Sequence, residues 1–175
     1  MPSARLNAYD SDSIYNNNMK PSVYVETSVI SYLTARPSRD VIVLAHQEIT
    51  RQWWESGRDK VRVVISDFVA QEAAAGDAAA AKERLAVILE LERIDVDHRI
   101  DVLAKELLAK GALPVQALYD ALHLAVCAVN QIDILVTWNC KHIANVTMYS
   151  LMESVCDSLG YKAPRICTPI ELWGM

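Results

Sequence analysis

Residues 120–137 read DALHLAVCAVNQIDILVT, and this stretch decides the fold. Its first part, 121–129, is apolar nearly all round, which suits a helix only when it packs against a sheet and against neighbours at once. A short β-branched run, 134–137, follows as a strand. The polar members of the helix form one stripe. Asp120, His123, Cys127 and Asn130 fall at i, i+3, i+7 and i+10, so one face of an otherwise buried helix carries a carboxylate at its N-terminal end.

The same alternation extends outward in both directions. Strands are expected at 23–25, 61–65, 94–96 and 165–167, all short, with longer helical patterns between them, and such alternation specifies an α/β sheet. Ile42, Ala45, Ile49 and Trp53 share one helical face. Ile100, Leu103, Ala104, Leu107 and Leu108 share another at i, i+3, i+4, i+7 and i+8, and both are expected to face the core. Gly76 and Asp77 read as a helix stop followed by an N-cap, and Gly111 with Pro114 ends a further helix. Residues 1–18 lack the apolar run of a signal peptide and read as a flexible arm ahead of a single domain, 19–175; Met19 is a candidate start.

Composition excludes several classes. With 52% hydrophobic and 22% charged residues among 175, and only five glycines, the chain is neither disordered, collagen-like nor a Cys-dense scaffold. No apolar run approaches the ~20 residues that cross a bilayer. Cys127, Cys140, Cys156 and Cys167 contain no C-x-x-C pair, so they are expected to be reduced, as in the cytoplasm. Seventeen basic against 22 acidic side chains leave a net charge of −5, which gives no global attraction to polyanions. Any nucleic acid would need a local basic patch or metal ions. The few glycines permit neither G-x-G-x-x-G nor a P-loop, and H-E-x-x-H and G-x-S-x-G are also missing. Cys140 and His142, the nearest approach to a transition-metal pair, lack partner ligands and read as loop packing.

In a parallel α/β sheet, ligands gather at the carboxyl ends of the strands. Glu26 directly follows the first strand, Glu72 lies about two turns into the helix that starts near Ser66, Asp120 opens the buried helix, and Asn139 follows strand 134–137. Each has an ordinary explanation alone: a strand end, a solvated helix acid, a first-turn acid favoured by the helix dipole, a turn residue. Their joint placement on one edge points to chemistry. Carboxylates within ~4 to 6 Å repel unless a cation compensates, and Mg²⁺ or Mn²⁺ prefers such oxygen ligands. That combination suits phosphodiester hydrolysis. His123 reads as a hydrogen-bonded helix histidine rather than a base.

At these residues the sequence resembles the PIN-domain family, and more narrowly the VapC-type toxins of bacterial type II toxin–antitoxin modules, over residues 20–173. Val-Tyr-Val-Glu26-Thr27-Ser28 is similar to the family's opening strand and acid, Glu72 in SDFVAQE to its second acid, Asp120-Ala-Leu-His-Leu-Ala to its third, and Thr137-Trp138-Asn139 to its fourth motif. The resemblance implies a three-layer α/β/α fold with a short, mostly parallel sheet. It also implies a Mg²⁺- or Mn²⁺-dependent endoribonuclease with Glu26, Glu72, Asp120 and Asn139 as catalytic and metal-holding residues, an RNA substrate, a cognate antitoxin, a homodimer and a cytoplasmic location. Two departures stand out. Glu26 replaces the family's usual Asp and is a methylene longer, and neutral Asn139 stands where Asp is common, which favours single-metal catalysis or weakened activity.

Arg36, Arg39, Lys141 and His142, which follow the first and fourth motifs, are candidates for RNA phosphate contacts. Trp53, Trp54 and Trp138 are candidate base-stacking residues, with core packing the stronger expectation for Trp53 and an interface for Trp54. Two competing readings remain: a catalytically weakened PIN-like module that binds RNA or protein, and an acid-cluster hydrolase of small phosphoesters.

Overall fold

The computed structural model describes residues 20–172. The proposed arm, 1–18, lies outside the described residues. The elements in chain order are β1 (Ser22–Val25), α1 (Thr27–Thr34), α2 (Val41–Ser56), a 3₁₀ turn (Arg58–Lys60), β2 (Arg62–Ile65), α3 (Asp67–Ala73), α4 (Ala78–Ile88), β3 (Glu92–Arg93), α5 (His98–Ala109), α6 (Leu118–Val129), β4 (Ile134–Val136), a 3₁₀ turn (Val146–Met148), α7 (Tyr149–Ser158), β5 (Arg165–Cys167) and α8 (Pro169–Leu172). The five strands form one sheet in the order β3-β2-β1-β4-β5, every pair parallel. On either side of this sheet, α1 packs against α2, α3 and α4, while α5 packs against α6 and α7, completing an α/β/α sandwich. No helix among the described residues is long and apolar enough to cross a membrane.

The central strand β1 is buried along its whole length, as a parallel strand covered on both faces must be. At its N-terminal end Asp133 Oδ2 accepts hydrogen bonds from Ser22 N (2.8 Å) and Ser22 Oγ (2.7 Å), which fixes the register of β1 against β4. Helix α6 is buried from Ala121 to Val129, as its all-round apolar pattern requires. Gly76 (φ 84°) ends the α3 segment, and the Asp77 side chain then accepts from Ala80 N at 2.9 Å to open α4. The buried face of α5 is Ile100, Leu103, Ala104 and Leu107; Leu108 sits at its margin. Cys127, Cys140, Cys156 and Cys167 are all free.

Two expectations are corrected. The third strand is Glu92–Arg93, not 94–96. It is an edge strand with one neighbour, and its pairing with β2, Val64 with Glu92 and Ile65 with Arg93, sets it just ahead of the β-branched Ile94 and Val96. In α2, Ile42 is 66% exposed and the buried residues are Gln47, Thr50 and Trp53. Gln47 is inside because its amide donates to Arg36 O and accepts from Ser38 N, tying down the loop before the helix.

Candidate active site

Four loops at the carboxyl edge of the sheet bring the candidate residues together in two linked clusters. Glu26 caps α1 from the end of β1. One of its carboxylate oxygens accepts from Ser28 N (3.0 Å), and the other accepts from Ser28 Oγ and from Thr137 Oγ1 (2.7 Å). The carboxylate is only 6% exposed, so these bonds replace the water it has lost. Glu72 comes from the last turn of α3. Its Oε2 accepts from Thr27 Oγ1 and pairs with His123 Nε2 at 2.7 Å. Its Oε1 has no hydrogen-bond partner among the described residues. The Glu72 side chain is 29% exposed, and no buried side-chain oxygen or nitrogen among the described residues is unpaired, so Oε1 is open to solvent.

Burial pushes the Glu72 carboxyl up, but the hydrogen bond and charge of His123 together with the Thr27 hydroxyl hold it below its ordinary value. Beneath Glu72 the chain of contacts continues inward. His123 Nδ1 lies 2.8 Å from Tyr24 Oη, which lies 2.7 Å from Ser66 Oγ. Tyr24, Ser66 and His123 are all fully buried. Burial, reinforced by nearby Cys127, raises the Tyr24 phenol well above its usual value.

Asp120, in the first turn of α6, anchors the second cluster. Its Oδ1 accepts from Asn139 Nδ2 (3.0 Å) and its Oδ2 pairs with His142 Nδ1 (2.7 Å). Thr137 joins the two clusters, because its hydroxyl donates to Glu26 and accepts from Asn139 N at 2.9 Å. Trp138 N also donates to Ser28 Oγ at 2.9 Å.

Glu26, Glu72 and His123 each offer a ligand atom, and these atoms all lie within 4.8 Å of one another. Two carboxylates and an imidazole suit a divalent cation, the carboxylates favouring Mg²⁺ or Mn²⁺. Asp120 is not within that group; it reaches it only through residues 137–139.

The other candidates fall in different places. Arg36, Arg39 and Lys141 are exposed, whereas His142 is half-buried and held by Asp120. Trp53 is fully buried, and Trp54 lies under the Arg58 guanidinium at 5.1 Å. Trp138 already stacks on His46, with centroids 4.0 Å apart and planes 14° from parallel, and its Nε1 donates to Thr50 Oγ1. The hydroxyls of Thr27, Ser28 and Thr137 and the Tyr24–His123 pair were not assigned roles from sequence. The Thr-Ser that follows Glu26 is the one local signal for them, since a cap and a following hydroxyl commonly share hydrogen bonds.

The molecule is thus an all-parallel α/β sandwich with acids gathered at the carboxyl edge of its sheet. This chain belongs to the PIN domain family, whose model matches residues 23–142. Among solved structures it is similar to VapBC2 from Rickettsia felis bound to a DNA fragment from its promoter, at 15% identity and a TM-score of 0.55, covering 84% of this chain and 98% of that one. It is also similar to VapC20 of Mycobacterium tuberculosis, a sarcin-ricin loop cleaving toxin, at 17% identity and a TM-score of 0.53, covering 81% and 99%. No curated protein sequence matches the chain.

Proposed function

We propose that this chain is a Mg²⁺- or Mn²⁺-dependent endoribonuclease, the toxin of a type II toxin–antitoxin module. The observation that carries the proposal is the convergence of Glu26, Glu72 and His123 atoms within 4.8 Å, with Glu72 Oε1 open to solvent. Glu26 and Glu72 are the residues that would hold the ion, while Asp120 and Asn139, expected beside them from the sequence, lie outside that group and reach it only through residues 137–139. When bound, the ion supplies Lewis acidity that makes water nucleophilic near neutral pH and offsets charge on the scissile phosphate. The chain's own groups do the rest. Ser28 and Thr137 orient Glu26, Thr27 and His123 orient Glu72, and Asn139 and His142 orient Asp120. Arg36, Arg39, Lys141 and His142 are assigned to the RNA phosphates, which an acidic cleft would otherwise repel.

The RNA substrate and the antitoxin are supported by the likeness to VapC20 and VapBC2. A homodimer acting in the cytoplasm belongs to the same reading. The test is cleavage of total RNA with and without EDTA. Cleavage that EDTA stops, and that Asp120→Asn removes while leaving the circular dichroism spectrum unchanged, is the expected result. Metal-dependent cleavage by folded Asp120→Asn would refute the assignment.

One observation favours a second reading, a PIN module that binds RNA or protein without cutting. Both oxygens of Glu26 are already satisfied by protein donors, and Asn139 is neutral. Binding of RNA with no cleavage in Mg²⁺ or Mn²⁺, and no rise in melting temperature with either ion, would select it.

A further inference from the structure

A row of polar groups runs through the core directly behind the site: Ser66 Oγ, Tyr24 Oη, His123 and Glu72 are joined by contacts of 2.7, 2.8 and 2.7 Å. Ser66, Tyr24 and His123 are each 0% exposed and come from three different elements: the turn after β2, the central strand β1, and α6. A buried polar row of this kind replaces apolar packing and is tolerated only when every member is satisfied. Here every member is, since no buried side-chain nitrogen or oxygen among the described residues is unpaired.

Glu72 as a carboxylate can only accept, so His123 presents Nε2–H to it. Nδ1 shares a 2.8 Å hydrogen bond with the Tyr24 hydroxyl, and Tyr24 shares a 2.7 Å one with Ser66 Oγ, so the ring of His123 is held from the core side by groups that solvent does not reach. Glu72 Oε2 is occupied from two sides, by His123 and Thr27 Oγ1, and Oε1 is the oxygen left open.

We propose that His123 is a positioning residue: the buried Ser66–Tyr24–His123 row locks Glu72 through Oε2 so that Oε1 is presented beside Glu26 as a donor to a divalent cation. This rests on the metal-dependent reading given above. Histidine Nε2 is within reach of the same cation position, but its hydrogen bond to Glu72 assigns it to orienting the ligand and not to coordination. Outer partners of this kind commonly change metal affinity ~10–100-fold when removed.

The test measures Mn²⁺ binding itself, by electron paramagnetic resonance of the free ion, in the full-length protein and without substrate. Tyr24→Phe keeps the ring and deletes the hydroxyl bonded to Nδ1. His123→Leu deletes the donor to Glu72, and His123→Gln restores an amide N–H near the former Nε2. Melting in EDTA monitors folding separately. The expected result is that Tyr24→Phe and His123→Leu weaken Mn²⁺ binding by about 10–100-fold, and that His123→Gln returns it near the wild-type value. Should His123→Leu fail to fold, Tyr24→Phe against wild type decides the matter. Wild-type affinity in a folded Tyr24→Phe, or in a folded His123→Leu, overturns the inference, as does a lowered melting temperature with unaltered affinity, the signature of a purely structural role. Wild-type protein that binds no Mn²⁺ overturns the metal-dependent reading itself, a failure distinguishable from the others.

Discussion

Thr137→Val removes one oxygen and little else, and the structure sets the size of its effect. The Thr137 hydroxyl is fully buried, donates to the Glu26 carboxylate at 2.7 Å and accepts from Asn139 N at 2.9 Å. A hydrogen bond to a charged group contributes about 1.5–3 kcal/mol, and an amide left without its acceptor costs at least about 1 kcal/mol. The methyl that replaces the hydroxyl recovers no more than about 0.8 kcal/mol of burial. The balance is a loss of about 2–3 kcal/mol, which in a domain of this size lowers the melting temperature by about 4–12 °C. Thermal melts of wild type, Thr137→Val and Thr137→Ser in EDTA provide the assay. Thr137→Ser keeps the oxygen and is expected to lose only what one buried methyl contributes. Two results would refute the reasoning: no loss in Thr137→Val, or a larger loss in Thr137→Ser than in Thr137→Val, which would place the energy in methyl packing and not in the hydroxyl that joins the two acid clusters.

Further outcomes follow from other parts of the chain. At Gly57 an added Cβ would stand 2.7 Å from Trp53 Cδ1 and 3.0 Å from Trp53 O, and Trp53 is fully buried, so Gly57→Ala should destabilise by about 1–3 kcal/mol in urea unfolding. Asp133 is held below its ordinary 3.8 by the side-chain and backbone donors of Ser22, with Arg165 and Lys162 adding to the effect. Its folded form therefore binds its proton less readily than the unfolded chain. The stability it gives is complete above pH 3.8 and is lost as pH falls through the lower folded value. Asp133→Asn should flatten that acid limb in a stability–pH profile, and an unchanged limb would contradict the assignment.

The fold was legible wherever a local pattern carried long-range meaning. Strand β5 lies at 165–167 as expected, and α6 is buried all round because nine successive residues from Ala121 to Val129 leave it no solvent face beyond its ends. Strand β3 was not legible, because its position depends on backbone pairing with Val64 and Ile65 of β2, which lie 28 positions earlier in the chain. The outward apolar residues of α2 misled for a related reason, since Gln47 and Thr50 are drawn inside by backbone and indole groups remote in sequence. Within the site, the acids could be picked out because they follow strands or open helices. Their supporting hydroxyls could not. Thr27 meets Glu72 across 45 positions and Thr137 meets Glu26 across 111, and no periodicity in a sequence window records a contact of that span.

That same span governs when the site can exist. Strand β1 finds β2 about 40 residues later in the chain, but its other neighbour, β4, only at Ile134. A chain still emerging from the ribosome thus has Glu26 and Glu72 long before it has the Thr137 hydroxyl and the Asn139 amide that complete their surroundings. Prematurely terminated products that stop before residue 137 carry those acids without the groups that hold them in place.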